Sequence, residues 1–209
     1  MWYLAVLAFL CSYLLGNLNG AVIVSSIYAH DDVRTHGSGN AGLTNFIRTY
    51  GPKIAIYVIL IDVGKALLAC FASGMLLAGY GYYTEGVAIG ALGVILGHAF
   101  PVFLGFKGGK GILSGVTVAC MMDWRMGLVV FGIFLAAYIL TGYVSLGSVL
   151  SAGSFGFLYW WANPDAGIFN ISVALFLSVM VVWMHRSNIL RLIKGQERKT
   201  NLLKKGKQS

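Results

Sequence analysis

The segment that decides the fold is Gly97-His-Ala-Phe-Pro-Val-Phe-Leu-Gly-Phe-Lys-Gly-Gly-Lys-Gly111. It lies between two long apolar runs, so it belongs at or just inside the edge of a hydrocarbon layer. Its two lysines flank a backbone with almost no Cβ atoms, where amide N–H groups can approach an anion closely. The segment therefore predicts a phosphate-binding site formed by Lys107, Gly108, Gly109, Lys110 and Gly111, with His98 on the preceding turn.

Two other interpretations of this segment compete with the phosphate site. A nucleotide-binding P-loop is excluded by its spacing, because Leu104 stands where the first glycine of that motif would be. The remaining alternative is a glycine-rich turn with two interfacial lysines that obey the positive-inside rule. Other polar segments of the chain favour the phosphate site.

The composition is that of an integral membrane protein. Hydrophobic residues make up 58% of the 209 residues and charged residues 11%, with a mean hydropathy of +0.78, whereas soluble domains carry roughly 25% charged residues. Eight of the fifteen Lys and Arg residues follow His185. This basic end, with a partly flexible tail at 198–209, is expected at the anionic cytoplasmic lipid surface, and no nucleic-acid partner is expected.

Apolar runs of membrane-crossing length predict an all-α polytopic membrane protein that forms a single domain over residues 1–209. The predicted transmembrane helices lie at about 2–27, 54–79, 86–104, 112–122, 126–142, 144–162 and 168–184. The count is seven, or six if 112–142 is one long or broken helix. Lys and Arg concentrate in the odd-numbered connections, which places the N-terminus outside and the C-terminus in the cytoplasm.

The first inward connection is rich in glycine and hydrogen-bonding side chains. Ser38, Asn40, Thr44 and Asn45 alternate with glycines, and Arg48 follows one turn after Thr44. A helix that begins near Thr44 would direct its N-terminal amides toward an anion. An ordinary polar loop with helix-capping residues is the alternative.

The third polar segment begins at the inner end of the last predicted span. His185 is suited by its intrinsic pKa to exchange a proton near neutral pH, although a histidine that caps a helix C-terminus is the alternative. Asn188 shares a helical face with His185 and with Arg191. Glu197 is the tail's only acid, and we expect it to anchor an ion pair.

Asp62 and Lys65 lie three residues apart within the second predicted span. Charged residues at this depth usually pair, so we expect a structural ion pair. The histidines are few and none has ligand spacing, so neither a metal site nor a cofactor is expected. No cysteine lies in a polar connection, which disfavours a thioester enzyme intermediate.

Together the three polar segments resemble those of the bacterial acyl-phosphate:glycerol-3-phosphate acyltransferases, the PlsY family of polytopic membrane enzymes. The matching stretches are Gly37-Ser-Gly-Asn-Ala-Gly-Leu-Thr-Asn45 with Arg48, Gly97-His-Ala-Phe-Pro with Phe106-Lys-Gly-Gly-Lys-Gly111, and His185-Arg-Ser-Asn-Ile-Leu-Arg-Leu with Gly195 and Glu197. A departure occurs in the first span, where Gly16-Asn-Leu-Asn19 replaces the usual Gly-Ser-Ile-Pro and puts the family's helix kink in question.

The resemblance implies transfer of a fatty acyl group from acyl phosphate to the sn-1 hydroxyl of glycerol 3-phosphate. It also implies a bacterial inner-membrane protein whose active site faces the cytoplasm. The sequence gives no sign of a required protein partner. Ser38, Arg48, Lys107 and Asn188 would then bind phosphate and hydroxyl groups, and His185 would orient the acceptor hydroxyl or take its proton. A substrate phosphate oxygen is an alternative to His185 as the base, and a covalent nucleophile is the less favoured role of Ser38. The alternative function is that of a transporter of a phosphorylated solute.

Overall fold

The computed structural model describes residues 2–200. Within that range it contains α-helices, two short 3-10 turns and no strand, which confirms the all-α prediction. The α-helices are α1 (Trp2–Gly16), α2 (Gly20–Ala29), α3 (Leu43–Tyr50), α4 (Ala55–Ala78), α5 (Tyr83–Ala99), α6 (Ile112–Met122), α7 (Trp124–Thr141), α8 (Val144–Ala162), α9 (Ile168–Met184) and α10 (Arg186–Ile193). The 3-10 turns are Val33–Thr35 and Val102–Leu104. The part of the predicted tail after residue 200 lies outside the described residues.

Length and apolar composition identify four candidate membrane spans in residues 2–200, at Trp2–Ala29, Ala55–Ala78, Tyr83–Leu104 and Trp124–Thr141. A fifth is counted if α9 and α10, which meet at an angle of 56°, form one broken span. With 11 residues, α6 is about 16 Å long, which is short of the ~30 Å hydrocarbon core. The count of seven and the orientation therefore stay predictions.

The region 112–142 is two helices rather than one. Asp123 separates α6 from α7, and its side chain accepts a hydrogen bond from the backbone N–H of Arg125 at 2.9 Å. The predicted span 86–104 agrees with the candidate span Tyr83–Leu104 to within three residues, although its α-helix, α5, ends at Ala99. Pro101 follows that end, and the residue before a proline is disfavoured in helical conformation.

Glycines on α5 allow it to pack closely against two neighbouring helices. A methyl group on Gly86 or Gly90 would meet the backbone of α4, and one on Gly93 or Gly97 would meet the backbone of α1. Small residues at this spacing let helices approach in lipid, which is the role that the sequence pattern predicted. This packing sets the position of α5 against α1 and α4, and therefore the point at which the glycine-rich segment begins.

The first predicted span, 2–27, is not continuous. It breaks at residues 17–19, and the buried pair Asp62 and Lys65 satisfies the backbone groups freed there. The Lys65 Nζ donates to the carbonyl oxygens of Gly16 and Leu18 at 3.3 and 2.7 Å, and the Asp62 Oδ1 accepts from the N–H of Gly20 at 3.1 Å. Broken helices are tolerated at membrane depth when their free polar groups find such partners.

Candidate active site

A cavity of about 290 Å³ lies where the three polar segments meet. Helices α3, α6, α7, α8 and α10 contribute to its wall. The predicted site residues that line it are Ser38, Asn40, Thr44, Asn45, Arg48, Asp62, His98, Lys110, Gly111, His185, Asn188 and Glu197. Residues separated by up to 159 positions, from Ser38 to Glu197, thus line one cavity.

Asn45 shapes the loop that precedes α3. Its Oδ1 accepts from the N–H of Ser38 at 3.0 Å, and its Nδ2 donates to the carbonyl oxygens of Val33 and His36 at 3.0 and 3.1 Å. Gly37 has a φ of +59°, and a methyl group there would also collide with the Asn45 amide. Asn45 therefore holds the loop, while Ser38, Asn40 and Thr44 line the cavity.

Arg48 extends from the last turn of α3 into the cavity wall. Its guanidinium contacts the hydroxyl of Thr200 and donates to the carbonyl oxygen of Arg198 at 3.3 Å. Burial lowers the pKa of Arg48, but an arginine side chain stays protonated in proteins. Arg48 is therefore a fixed cation at this position.

The chain at residues 195–200, the C-terminal strap, crosses beside Arg48. The Thr200 N–H donates to the carbonyl oxygen of Gly142 at 3.0 Å, and the Tyr138 hydroxyl donates to the Thr200 carbonyl oxygen at 3.0 Å. Thr200 is buried. The strap therefore ties α3 to the connection between α7 and α8 across the cavity.

The glycine-rich segment differs from its prediction in one respect. The N–H groups of Gly108 and Gly109 donate to the carbonyl oxygens of Ala99 and His98 at 3.3 and 3.1 Å, so they are used by the end of α5. Gly108 and Gly109 do not line the cavity. Lys107 is exposed and does not line it either. Its phosphate-binding role stays a prediction that this geometry does not favour.

Arg34 holds the glycine-rich segment against the first inward connection. Its Nη1 donates to the carbonyl oxygens of Leu104 and Lys107 at 3.0 and 3.2 Å, and its guanidinium pairs with Asp32 at 2.7 Å. Gly111, with a φ of +80°, then turns the chain into α6. Lys110 and Gly111 thereby face the cavity.

Lys110 joins the second and third polar segments. Its Nζ contacts the Asn188 Oδ1, and the Asn188 Nδ2 donates to the Glu197 Oε1 at 3.0 Å. Arg191 completes the network through its Nε, which donates to the Glu197 Oε2 at 2.8 Å. Glu197 is thus the ion-pair partner of Arg191.

The charges of this network alter the pKa values of its members. Burial, followed by repulsion from Arg191, lowers the pKa of Lys110 to about 8, although Glu197 acts in the opposite direction. Burial raises the pKa of Glu197, but hydrogen bonds from Arg191 and Asn188 outweigh it and give a net lowering. Glu197 is therefore ionised at neutral pH, and Lys110 loses its charge in mildly alkaline solution.

His185 lies at the bend between α9 and α10 and is buried. Its Nδ1 is 2.8 Å from the carbonyl oxygen of Val181. A carbonyl can only accept, so Nδ1 carries the proton and Nε2 of the neutral ring is an acceptor. The side chain lines the cavity, so it can receive a hydrogen bond from a bound hydroxyl.

His98 lies at the base of the cavity beside the Asp62–Lys65 pair. The Lys65 Nζ is 2.7 Å from the Asp62 Oδ1 and 2.8 Å from the His98 Nδ1. Because an ammonium only donates, the Nδ1 of His98 is an acceptor in this contact. The three buried side chains therefore link α4 and α5 to the broken first span.

The sequence predictions missed several residues of the wall. Ser145 and Ser148 line the cavity from the first turns of α8, three residues apart on one face. Arg191 also lines it, and the apolar side is formed by Leu113, Val116, Phe131, Phe134 and Val144. The spacing of the two serines was the available signal, but serines are common packing residues in membrane helices.

The chain matches one protein-family model, described as glycerol-3-phosphate acyltransferase, over residues 6–195. A glycerol-3-phosphate acyltransferase of Thermoanaerobacter sp. (strain X514) is 38% identical over 197 residues, which cover 93% of this chain and 95% of the relative. One of Prochlorococcus marinus (strain MIT 9215) is 36% identical over 202 residues, covering 94% and 98%.

The solved structures of similar fold are also those of a glycerol 3-phosphate acyltransferase. The crystal structure of PlsY (YgiH), an integral membrane glycerol 3-phosphate acyltransferase, in its glycerol 3-phosphate form has a TM-score of 0.82 and 28% identity. Its lysophosphatidic acid form has a TM-score of 0.79 and 27% identity. In both cases the match covers 95% of this chain and 96% of the other. The comparisons give no support to a transporter.

Proposed function

The chain belongs to the glycerol-3-phosphate acyltransferase family, and from this premise we propose that acyl phosphate is its acyl donor. It is a membrane enzyme of phospholipid synthesis that acylates glycerol 3-phosphate. The proposed reaction joins the sn-1 hydroxyl oxygen to the acyl carbonyl carbon. The bond between that carbon and the phosphate oxygen breaks, so that lysophosphatidic acid and inorganic phosphate are the products.

The charge balance of the cavity is the observation that carries this proposal. The wall carries three cations, Arg48, Lys110 and Arg191. Arg191 is neutralised by Glu197, and the other carboxylate of the wall, Asp62, pairs with Lys65, so Arg48 and Lys110 supply the excess. The excess positive charge suits a reaction that gathers two phosphorylated molecules. The mixed anhydride of an acyl phosphate already activates the acyl group, so binding, alignment and stabilisation of negative charge are the tasks left to the protein.

Arg48, Lys110 and Asn188 are the proposed phosphate ligands, with Ser38, Asn40 and Thr44 as hydrogen-bonding partners of the substrates. The contact between Lys110 and Asn188 brings a cation and an amide to one point, which suits a phosphate. The N-terminus of α6 at Gly111 adds backbone amides of positive character. Lys107 is assigned no direct contact, because it does not line the cavity.

His185 is the proposed partner of the acceptor hydroxyl. With Nδ1 held by Val181, Nε2 accepts the hydroxyl proton as the oxygen attacks the carbonyl carbon. A phosphate oxygen of the substrate is the competing proton acceptor, in which case His185 only orients the hydroxyl. Kinetics of His185 variants distinguish the two.

The proposed setting is the inner membrane of a bacterium, with seven spans and the cavity on the cytoplasmic side. The excess of Lys and Arg in the connections that form the cavity supports this orientation. Cysteine labelling of single-cysteine variants at residues 107 and 165, from each side of sealed vesicles, tests it.

The donor assignment is tested with purified protein in lipid nanodiscs. Palmitoyl phosphate, palmitoyl-CoA and palmitoyl-acyl carrier protein are each supplied with glycerol 3-phosphate. We expect lysophosphatidic acid only from palmitoyl phosphate, with one phosphate released per product. Product from a thioester donor, or phosphate release that does not need glycerol 3-phosphate, would contradict the proposal.

A further inference from the structure

Two polar atoms at the base of the active-site cavity have no hydrogen-bond partner within residues 2–200, the Nε2 of His98 and the Oδ2 of Asp62. Both side chains line the cavity and are otherwise buried, with 5% and 2% of their surface exposed. The hydrogen bonds to the Asp62 carboxylate, from the Gly20 N–H and the Lys65 Nζ, both end on Oδ1. The ion pair with Lys65 thus supports the fold through one oxygen and leaves the other for a ligand.

The two atoms are of opposite hydrogen-bonding character. The Lys65 Nζ donates to the Nδ1 of His98 at 2.8 Å, so the proton of the neutral ring lies on Nε2, which is a donor. A carboxylate oxygen only accepts. The His98 Nδ1 is 3.7 Å from the Asp62 Oδ1, so the two groups are direct neighbours. The base of the cavity therefore offers one donor beside one acceptor.

Gly109 leaves room for the His98 ring in this position. A methyl group on Gly109 would collide with the His98 Nε2 and with the carbonyl oxygen of Ala41. The glycine itself does not line the cavity, and its N–H is used by the end of α5. One effect of the missing side chain is therefore to keep the Nε2 of His98 uncovered.

A donor beside an acceptor matches an alcohol hydroxyl, which accepts one hydrogen bond and donates another. A phosphate does not suit this place, because its charge would be repelled by the Asp62 Oδ2. The attacking hydroxyl does not suit it either, because a hydrogen bond donated to its oxygen lowers its nucleophilicity. That hydroxyl needs an acceptor alone, which the His185 Nε2 provides. The base of the cavity therefore suits a hydroxyl that does not react.

We propose that His98 and Asp62 bind the sn-2 hydroxyl of glycerol 3-phosphate and select for it. The Nε2–H of His98 donates to the hydroxyl oxygen, and the hydroxyl donates to the Asp62 Oδ2. The inference rests on the proposed function, because it needs the phosphate at Arg48 and Lys110 and the sn-1 hydroxyl at His185. Three-carbon phosphates without a secondary hydroxyl leave both buried groups unpaired and are rejected.

The test measures binding of three compounds to the protein in nanodiscs, without any acyl donor. They are glycerol 3-phosphate, 3-hydroxypropyl phosphate, which lacks the secondary hydroxyl, and dihydroxyacetone phosphate, which has a carbonyl in its place. Wild-type protein should bind 3-hydroxypropyl phosphate about 10- to 100-fold more weakly than glycerol 3-phosphate. Dihydroxyacetone phosphate should bind about tenfold more weakly, because a carbonyl cannot donate to Asp62. Equal affinity for glycerol 3-phosphate and 3-hydroxypropyl phosphate would overturn the proposal without any variant.

Two variants of His98 separate a substrate contact from a structural role. His98→Asn keeps an acceptor for Lys65 near the place of Nδ1 and lacks a donor at Nε2, whereas His98→Gln places an amide N–H near Nε2 and loses the Nδ1 acceptor. The preference for glycerol 3-phosphate over 3-hydroxypropyl phosphate should fall about fivefold in His98→Asn and change less than about twofold in His98→Gln. The preference over dihydroxyacetone phosphate should persist in both, because Asp62 is unchanged.

His36→Asn is the matched control, because His36 is exposed and does not line the cavity, and it should keep both wild-type preferences. Thermal unfolding checks the folding of each variant. A preference that is kept in His98→Asn and lost in His98→Gln would show that His98 acts only through Lys65, which overturns the proposal. Failure of wild-type protein to use palmitoyl phosphate contradicts the donor assignment alone, since binding is measured without a donor.

Discussion

The Nδ1 atom of His185 lies 2.8 Å from the carbonyl oxygen of Val181, one helical turn earlier in α9. This contact fixes the tautomer, because the carbonyl needs a donor and Nε2 is then left with a lone pair. It also fixes the ring where the chain bends by 56° into α10. The contact between His185 and Val181 therefore orients the imidazole at the point where α9 ends and α10 begins.

His185→Ala should lower kcat by about 100- to 10,000-fold, the usual contribution of a positioned acid or base. The measurement is steady-state release of phosphate at saturating glycerol 3-phosphate, with thermal unfolding as the check on folding. A well-folded variant with a near wild-type kcat would exclude His185 as the base. The proton would then pass to a phosphate oxygen of the substrate.

Lys110 and Lys107 form a matched pair of lysines within one segment. Lys110→Ala should lower kcat/KM about 10- to 100-fold, because it removes a charge-assisted hydrogen bond of about 1.5–3 kcal/mol. Lys107→Ala should change it less than about threefold at moderate salt, since an exposed charge away from the cavity acts mainly by screened attraction. Equal losses in the two variants would show that the loop rearranges when substrate binds.

The pKa of Lys110 near 8 predicts a pH dependence of substrate binding. The ammonium form binds phosphate, and glycerol 3-phosphate is already fully ionised above its second pKa of about 6. KM for glycerol 3-phosphate should therefore be flat between about pH 7 and 8 and rise above pH 8, by up to about tenfold per pH unit.

Lys110→Arg is the control for this pH profile, because a guanidinium keeps its charge throughout the range. Its KM should be higher than that of the wild type, since arginine differs in shape, but should lack the alkaline rise. The same rise in both proteins would assign the titration to another group.

The Asp62–Lys65 pair should matter to stability more than to chemistry. Lys65→Met leaves the Asp62 carboxylate buried without its partner and should cost about 3–5 kcal/mol. The double variant Asp62→Asn/Lys65→Met should be less destabilised than the sum of the single variants, because no charge is left unpaired. The free energy of unfolding in detergent micelles is measured for the double variant and for both single variants. Strict additivity would contradict the coupling.

Features that depend on local pattern could be predicted from the sequence. Glycines four residues apart predicted close packing of α5, as seen at Gly93 and Gly97. The spacing of Asp62 and Lys65 predicted their ion pair. Such patterns are visible because a helix places nearby residues on one face in a fixed way.

Features that depend on tertiary contacts were not predictable in the same way. The bare amides of Gly108 and Gly109 suggested a phosphate site, but both are used by carbonyl oxygens at the end of α5. The carbonyl oxygen of Leu18, freed by the break in the first span, is satisfied by Lys65, which lies 47 residues further along the chain. Hydropathy does not record which distant side chain satisfies a backbone group.

The most direct test of the candidate site is a structure determined with glycerol 3-phosphate bound. We expect the phosphate within hydrogen-bond distance of Arg48 and Lys110, and the sn-1 hydroxyl within such distance of the His185 Nε2. A phosphate held instead at Lys107, or a hydroxyl directed away from His185, would contradict the proposed site.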